Sequence, residues 1–229
     1  MSTFLSDRRA RIAAALNLGD AILLVGAGEP VPLPEGSDQT YPFRSHAEYF
    51  YLAAQECPGG IVAFDPHEGE RDGWTSFVPD VTEGERVWEG REQLPGASIA
   101  MLEPWLTTRR GRPILMLGAP LRGMNAPDAR TLRAREQLLH ARRVKDATEI
   151  ALLRRTAVAT APGFAKLRSL LRPGVTERTL QIELEAEFFR HGGTRPGYAS
   201  IVGLGSNSAI LHSTPGARRT SAGCAPRAA

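Results

Sequence analysis

Cysteine, lysine and long apolar runs are all scarce in this sequence, and each shortage narrows what it can be. Its two cysteines, Cys57 and Cys224, have no CxxC partner, so neither a disulfide framework nor a thiolate zinc site is suggested. No stretch approaches 18 consecutive apolar residues, and no apolar segment follows Met1. The sequence therefore predicts neither a membrane span nor a secretory leader, and a reducing cytoplasm is the expected compartment. Lys145 and Lys166 are the only lysines, so arginine carries nearly all the positive charge, and the net charge is only +3. The arginines lie near acids, as Arg8 and Arg9 do after Asp7, and form no cationic stripe. A nucleic-acid partner is not expected.

Common catalytic signatures are missing as well. There is no GxxxxGK, Gly26-Ala27-Gly28 lacks the spacing of a dinucleotide loop, and Ser206 is not in a GxSxG context. His46, His67, His140, His191 and His212 form no HExxH. Glu183, Glu185 and Glu187 alternate along a helix, so they do not face one another. Asp65-Pro66-His67-Glu68 has metal-capable side chains but reads as a turn after a strand.

What is present describes an ordinary globular chain, 42% hydrophobic and 23% charged, long enough for one domain and part of another. Ser6 is placed to cap a helix through Leu16, and Ala21 to Val25 reads as a buried strand. Four prolines between Glu29 and Pro42 predict a loop, and Ser45 a cap for a helix beginning at His46. Strands follow at Ile61 to Phe64 and Thr75 to Val78. Ser98 is placed to cap a helix through Leu106, and Ile114 to Leu117 is a further strand. This alternation predicts an α/β domain, a mixed sheet flanked by helices.

After Asp128 the pattern becomes helical. An Arg-rich helix is expected over 128–143. Asp146 and Glu149 have capping-box spacing, and Ile150, Leu153, Ala157, Phe164, Leu167 and Leu171 recur at helical spacing, with Pro162 a point of bending. Arg172-Pro173-Gly174 ends that helix. Thr176 opens another with an apolar face of Leu180, Leu184 and Phe188, ending at Gly192-Gly193. Tyr198 to Val202 and Ala209 to His212, joined by a Gly/Ser/Asn turn, read as a hairpin. The boundaries expected are a first domain over 1–143, a second over 144–216, and a poorly ordered tail over 217–229.

Several stretches carry a family resemblance. They are Phe43-Arg44-Ser45 with Glu48-Tyr49-Phe50-Tyr51-Leu52, Arg86-Val87-Trp88-Glu89-Gly90-Arg91, Arg143-Val144-Lys145 with Glu149-Ile150, Leu171-Arg172-Pro173-Gly174-Val175-Thr176-Glu177, and the run from Tyr198 through Gly203-Leu204-Gly205-Ser206-Asn207 to His212. In order and spacing they resemble aminopeptidase P and its relatives, the prolidases and creatinases. The resemblance extends to about residue 219.

It implies a creatinase-type amino-terminal α/β domain followed by the beginning of an α+β pita-bread domain. The family reaction is hydrolysis of the peptide bond before a penultimate proline, by water held between two divalent metal ions, usually Mn²⁺. His212 falls on the family histidine that binds substrate and the tetrahedral intermediate, and Tyr198 on a residue of the active-site wall. Residues of the expected metal-ligand set do not follow His212: Ser213 stands where an aromatic is usual, and Cys224 to Ala229 replace an apolar strand. The sequence therefore reads as truncated before the metal ligands, with no cofactor expected in this chain and no activity alone. A homo-oligomer, or a relative engaged through the amino-terminal domain, is the implied partner. A non-catalytic oligomerisation or binding module and a prolidase-like dipeptidase fragment are the alternatives. Without its full sheet the second domain is expected to expose Ile150, Leu153, Phe164, Leu180, Leu184 and Phe188.

Overall fold

A computed structural model describes residues 3–34, 36, 38–121, 123 and 128–212; the tail expected over 217–229 lies outside them. The chain divides into two compact units, Met1–Val144 and Lys145–Ala229.

The first unit is built on five strands, β1 (Ile22–Gly26), β2 (Ile61–Phe64), β3 (Trp74–Val78), β4 (Ala97–Ser98) and β5 (Ile114–Gly118), in the order β4-β3-β2-β1-β5. β1 runs antiparallel to β2 and parallel to β5, β2 is antiparallel to β3, and β3 is parallel to β4. This is the mixed sheet expected. Helices α1 (Thr3–Leu16), α2 (Ala47–Ala53), α3 (Glu83–Glu89), α4 (Leu102–Thr107) and α5 (Ala129–Ala141) complete the unit.

The uninterrupted apolar run of β1 has its reason in the layers around it, since a strand covered on both faces has no side to leave polar. Leu23 and Val25 join a core with Ile12, Leu16, Tyr49, Leu52 and Leu138 from α1, α2 and α5. Ile22 and Leu24 point the other way, to Phe77 and to Leu102, Trp105 and Leu106 of α4. β1 and β5 close tightly at one end, where a Cβ on Gly118 (φ +72°) would lie 2.2 Å from the Gly26 carbonyl oxygen, so only glycine fits.

Buried polar side chains tie these layers together. Arg9, 2% exposed, donates from Nε to the Leu52 carbonyl (2.8 Å) and from Nη2 to Ser76 Oγ (2.8 Å). Burial lowers its pKa to about 10, which still leaves it cationic at neutral pH. Glu48 accepts from the Gly118 N–H (2.5 Å) and from Arg135 Nε (3.1 Å), joining α2, β5 and α5.

Element boundaries differ from the expectations in instructive ways. α1 starts at Thr3, upstream of Ser6. Ser98 caps a 3₁₀ turn, Ile99–Met101, which leads into α4. α3 was not anticipated. Seven residues containing Gly84 are too few to show apolar periodicity, and its start is marked by the Thr82–Glu85 capping box.

The second unit holds α6 (Ala147–Leu170) and α7 (Glu177–Arg190). The Asp146–Glu149 capping box forms (2.9 and 3.0 Å), and Thr176 caps α7 through the Thr179 N–H (3.0 Å). Pro162 lies inside α6 without ending it. The residues of α6 that are buried are the small ones, Ala159 and Gly163. Leu184 and Phe188 press close against Gly163. Leu180 and Leu184 are buried (2% and 7%), contrary to the expectation that they would lose their cover. Ile150, Leu153 and Phe164 are exposed, as anticipated.

The hairpin expected over 198–212 does not form. Residues 198–204 are irregular, and Gly205–Ala209 is a 3₁₀ turn. The apolar residues that suggested strands, Ile201, Ile210 and Leu211, are all exposed. Without a covered face, alternation alone does not hold a strand pair.

Candidate functional site

A concavity lies within the second unit. Between α6, α7 and the segment that follows runs a trough of about 1180 Å³. Val158, Ala159, Phe164 and Leu167 of α6 face Leu184 and Phe188 of α7 across it, and residues 191–203 form its rim. Its wall is largely apolar because large residues of α6 are left uncovered beside the Gly163 crossing. Val158 and Phe164 are 73% and 57% exposed. Arg154, Arg155, Arg195 and His191 supply the polar edge.

Tyr198 lines this trough and is exposed. His212, also exposed, is outside its lining, at the end of the described residues. The two candidates thus stand on one irregular segment but are not joined in one cavity. His191, at the rim, has Nδ1 2.9 Å from the Glu187 carbonyl oxygen and 3.5 Å from its Oε2.

Sequence reasoning missed Glu177, which is 1% exposed. Its Oε1 accepts from the Leu204 N–H (2.9 Å) and from Asn207 Nδ2 (2.8 Å). The available signal was the Thr-Glu pair opening α7, which reads equally well as an ordinary exposed helix start.

Asp65, at the end of β2, is a structural group. Its carboxylate accepts from Arg112 (2.8 and 3.0 Å), from Arg109 Nε (2.7 Å) and from the His67 N–H (2.9 Å). Arg109 also pairs with Glu68. Burial opposes ionisation of Asp65, but these hydrogen bonds outweigh it and hold its pKa at about 2. In the same unit burial pushes the Cys57 thiol above its ordinary range, which makes it a poor nucleophile.

Among the described residues no three His, Cys, Asp or Glu side chains converge as metal ligands. The donors for a divalent ion pair are therefore not found among them.

Comparison with known proteins assigns both units. Residues 5–102 match the aminopeptidase P amino-terminal domain, and residues 151–225 match metallopeptidase family M24. The chain is 25% identical over 240 residues to the Xaa-Pro aminopeptidase of Escherichia coli K12, covering 90% of this chain and 53% of that protein. A probable Xaa-Pro aminopeptidase of Aspergillus flavus is 27% identical over 222 residues, covering 88% of this chain and 44% of its own length. The structure of a putative aminopeptidase P from Bacillus anthracis superposes with a TM-score of 0.72 at 14% identity, covering 93% of this chain and 57% of that one.

Fold and sequence together define a creatinase-type amino-terminal domain followed by the start of an M24 metallopeptidase domain. The chain belongs to the aminopeptidase P family. It spans about half the length of the curated relatives it matches.

Proposed function

We propose that this chain serves the hydrolysis of Xaa-Pro peptides as the amino-terminal half of a catalytic assembly, and that the 229 residues alone do not turn over substrate. The substrate class is a peptide with proline at its second position, and the ions required are two divalent cations such as Mn²⁺. In this reading His212 donates to the oxyanion that develops at the scissile carbonyl, and Tyr198 contributes to the substrate wall. The observation that supports it is the apolar trough in the unit matched to the M24 family. Its walls leave Val158, Phe164 and Tyr198 uncovered, as the floor of a larger domain would be.

The test is calorimetric titration of Mn²⁺ into the purified chain, together with an Xaa-Pro peptide assay. No tight two-ion isotherm and no release of the amino-terminal residue are expected. Tight binding of two ions with turnover would show that the chain supplies its own ligands and would overturn the proposal.

A second reading, a homo-oligomerising module without catalysis, is favoured by one feature of the first unit. Val87 and Trp88 on α3 are 73% and 88% exposed, and large aromatics are enriched at protein interfaces.

A further inference from the structure

Glu177 stands apart from the other acids of the second unit, because it alone among the described residues there is a buried carboxylate. Its neighbours in kind show how unusual this is. Glu149 occupies the first turn of α6, where it closes a capping box, and remains partly exposed. Helix initiation does not require the carboxylate to be buried, since the N-terminal dipole favours an anion at the surface equally well. Removing a carboxylate from water costs several kcal/mol unless hydrogen bonds compensate it. At Glu177 two donors from the later segment converge on the same oxygen, the Leu204 N–H at 2.9 Å and Asn207 Nδ2 at 2.8 Å.

From that point hydrogen bonds lead toward His212. Asn207, held through its side chain, accepts from the Ile210 N–H through its carbonyl (3.0 Å), and Ser208 Oγ donates to the Gly205 carbonyl (2.6 Å). The 3₁₀ turn Gly205–Ala209 is therefore clamped from below by Glu177 and from within by its own polar groups. His212 lies two residues beyond the Ile210 N–H. With residues 198–204 irregular and Tyr198 and Ile201 exposed, a sheet does not fix this segment; the carboxylate ties its turn to α7.

We propose that Glu177 is a positioning residue for the candidate site: its carboxylate fixes the 204–207 turn to the start of α7 and so sets where the His212 imidazole stands. This inference rests on the reading of His212 as a substrate-side histidine. Glu177 itself touches no reacting atom; it acts through Asn207 and the turn. A carboxylate suits the task because each of its bonds is charge-assisted, and one oxygen accepts two donors without a proton of its own to place.

The test follows the imidazole directly, in the 229-residue chain labelled with ¹⁵N-histidine, with His212→Gln used to assign the His212 ring signals. Glu177→Ala is expected to shift or broaden the His212 signals and to speed amide exchange at Leu204 roughly ten- to hundredfold, the range for losing a hydrogen bond to a charged group. Glu177→Gln, which keeps a carbonyl oxygen in place, should restore most of both effects. Asn207→Ala removes one arm while leaving α7 intact, and should move His212 even if Glu177→Ala fails to fold. Unchanged His212 signals in Asn207→Ala, or in a folded Glu177→Ala, would overturn the proposal. A proline-containing dipeptide is then titrated into the wild-type chain. Perturbation of His212 is expected; if the variants move His212 but the peptide does not, Glu177 remains the anchor of the turn and the substrate-side reading of His212 is what fails.

Discussion

The two units bury their apolar residues by different means. In the first, a sheet is covered on both faces, and β1 sends alternate residues into two cores. Among its buried charges, Arg9, Glu48 and Asp65 each bridge elements far apart in sequence. In the second, two helices meet through the small residues Ala159 and Gly163, while Leu152 and Val158 stay exposed and Phe164, though 57% exposed, lies beside Phe188 with ring centroids 6.4 Å apart. Both units contain strongly apolar stretches and both leave some large side chains exposed, but only in the first is an apolar run, β1, buried along its whole length. A helix pair placed face to face can bury one stripe of each helix; a sheet between helix layers can bury every residue of its central strand.

That contrast can be broken or sharpened by experiment, helped by the fact that Trp74, Trp88 and Trp105 all lie in the first unit. Tryptophan fluorescence therefore follows that unit alone, while helical circular dichroism follows both. The largest effect is expected from Asp65→Ala, which removes the carboxylate shared by Arg109 and Arg112, only 12% and 16% exposed, and leaves Arg109 with the more exposed Glu68 alone. A loss of about 3–5 kcal/mol should appear in the urea midpoint followed by fluorescence. A loss under about 1 kcal/mol would mean that the charged ties of the first unit are incidental to its stability.

Acid should produce the next effect. Asp65 is ionised down to about pH 2 in the folded chain, against about 3.9 when unfolded. Its contribution is fully present above the unfolded value and is lost as pH falls through the folded one. Between about pH 5 and pH 2 the first unit should lose about 2 kcal/mol through this group, and Asp65→Asn should flatten that part of the pH–stability curve. An unchanged curve in that variant would remove the carboxylate from the account.

Smallest is Gly163→Ala in the second unit. The new Cβ would lie 2.7 Å from Phe188 Cε1 and 3.0 Å from Leu184 Cδ1. Overpacking costs about 1–3 kcal/mol, and the gain in helix propensity returns about 1. A net loss of about 1 kcal/mol should appear in the 222 nm dichroism melt with the fluorescence transition unmoved. A stabilised variant would show that the α6–α7 contact yields easily and that the two units differ less than their packing suggests.

Much of this was legible in the sequence. Short apolar runs bounded by Gly and Pro marked β1, β2, β3 and β5 but not the two-residue β4, and Asp146 with Glu149 marked the start of α6, because those signals depend on neighbours within a few residues. The buried charges were not legible. Arg9 finds Ser76 67 positions away, and Glu48 finds Arg135 87 positions away, and no local pattern distinguishes such a pair from two solvated side chains. On α6 the periodicity of large residues marked the helix, but that pattern carried no sign that the buried contacts with α7 would be made by the small residues Ala159 and Gly163. Around the candidate site, Tyr198 and His212 were reached through family resemblance. The carboxylate beneath their segment was overlooked because a Thr-Glu helix start looks the same whether it is wet or dry.

The strand order also has a consequence for the chain as it is being made. β1 is synthesised early, yet one of its two hydrogen-bonding edges belongs to β5. Arg112, just before β5, bonds back to the Asp20 carbonyl across 92 positions. While those residues are still to be translated, at some 5–20 residues per second, β1 to β3 can pair among themselves, but one edge of β1 stays bare for several seconds. An apolar strand with an unpaired edge is the kind of surface that recruits other chains. The nascent polypeptide is thus most exposed to aggregation between the emergence of β3 and that of β5, a window that slower translation through the intervening codons would lengthen.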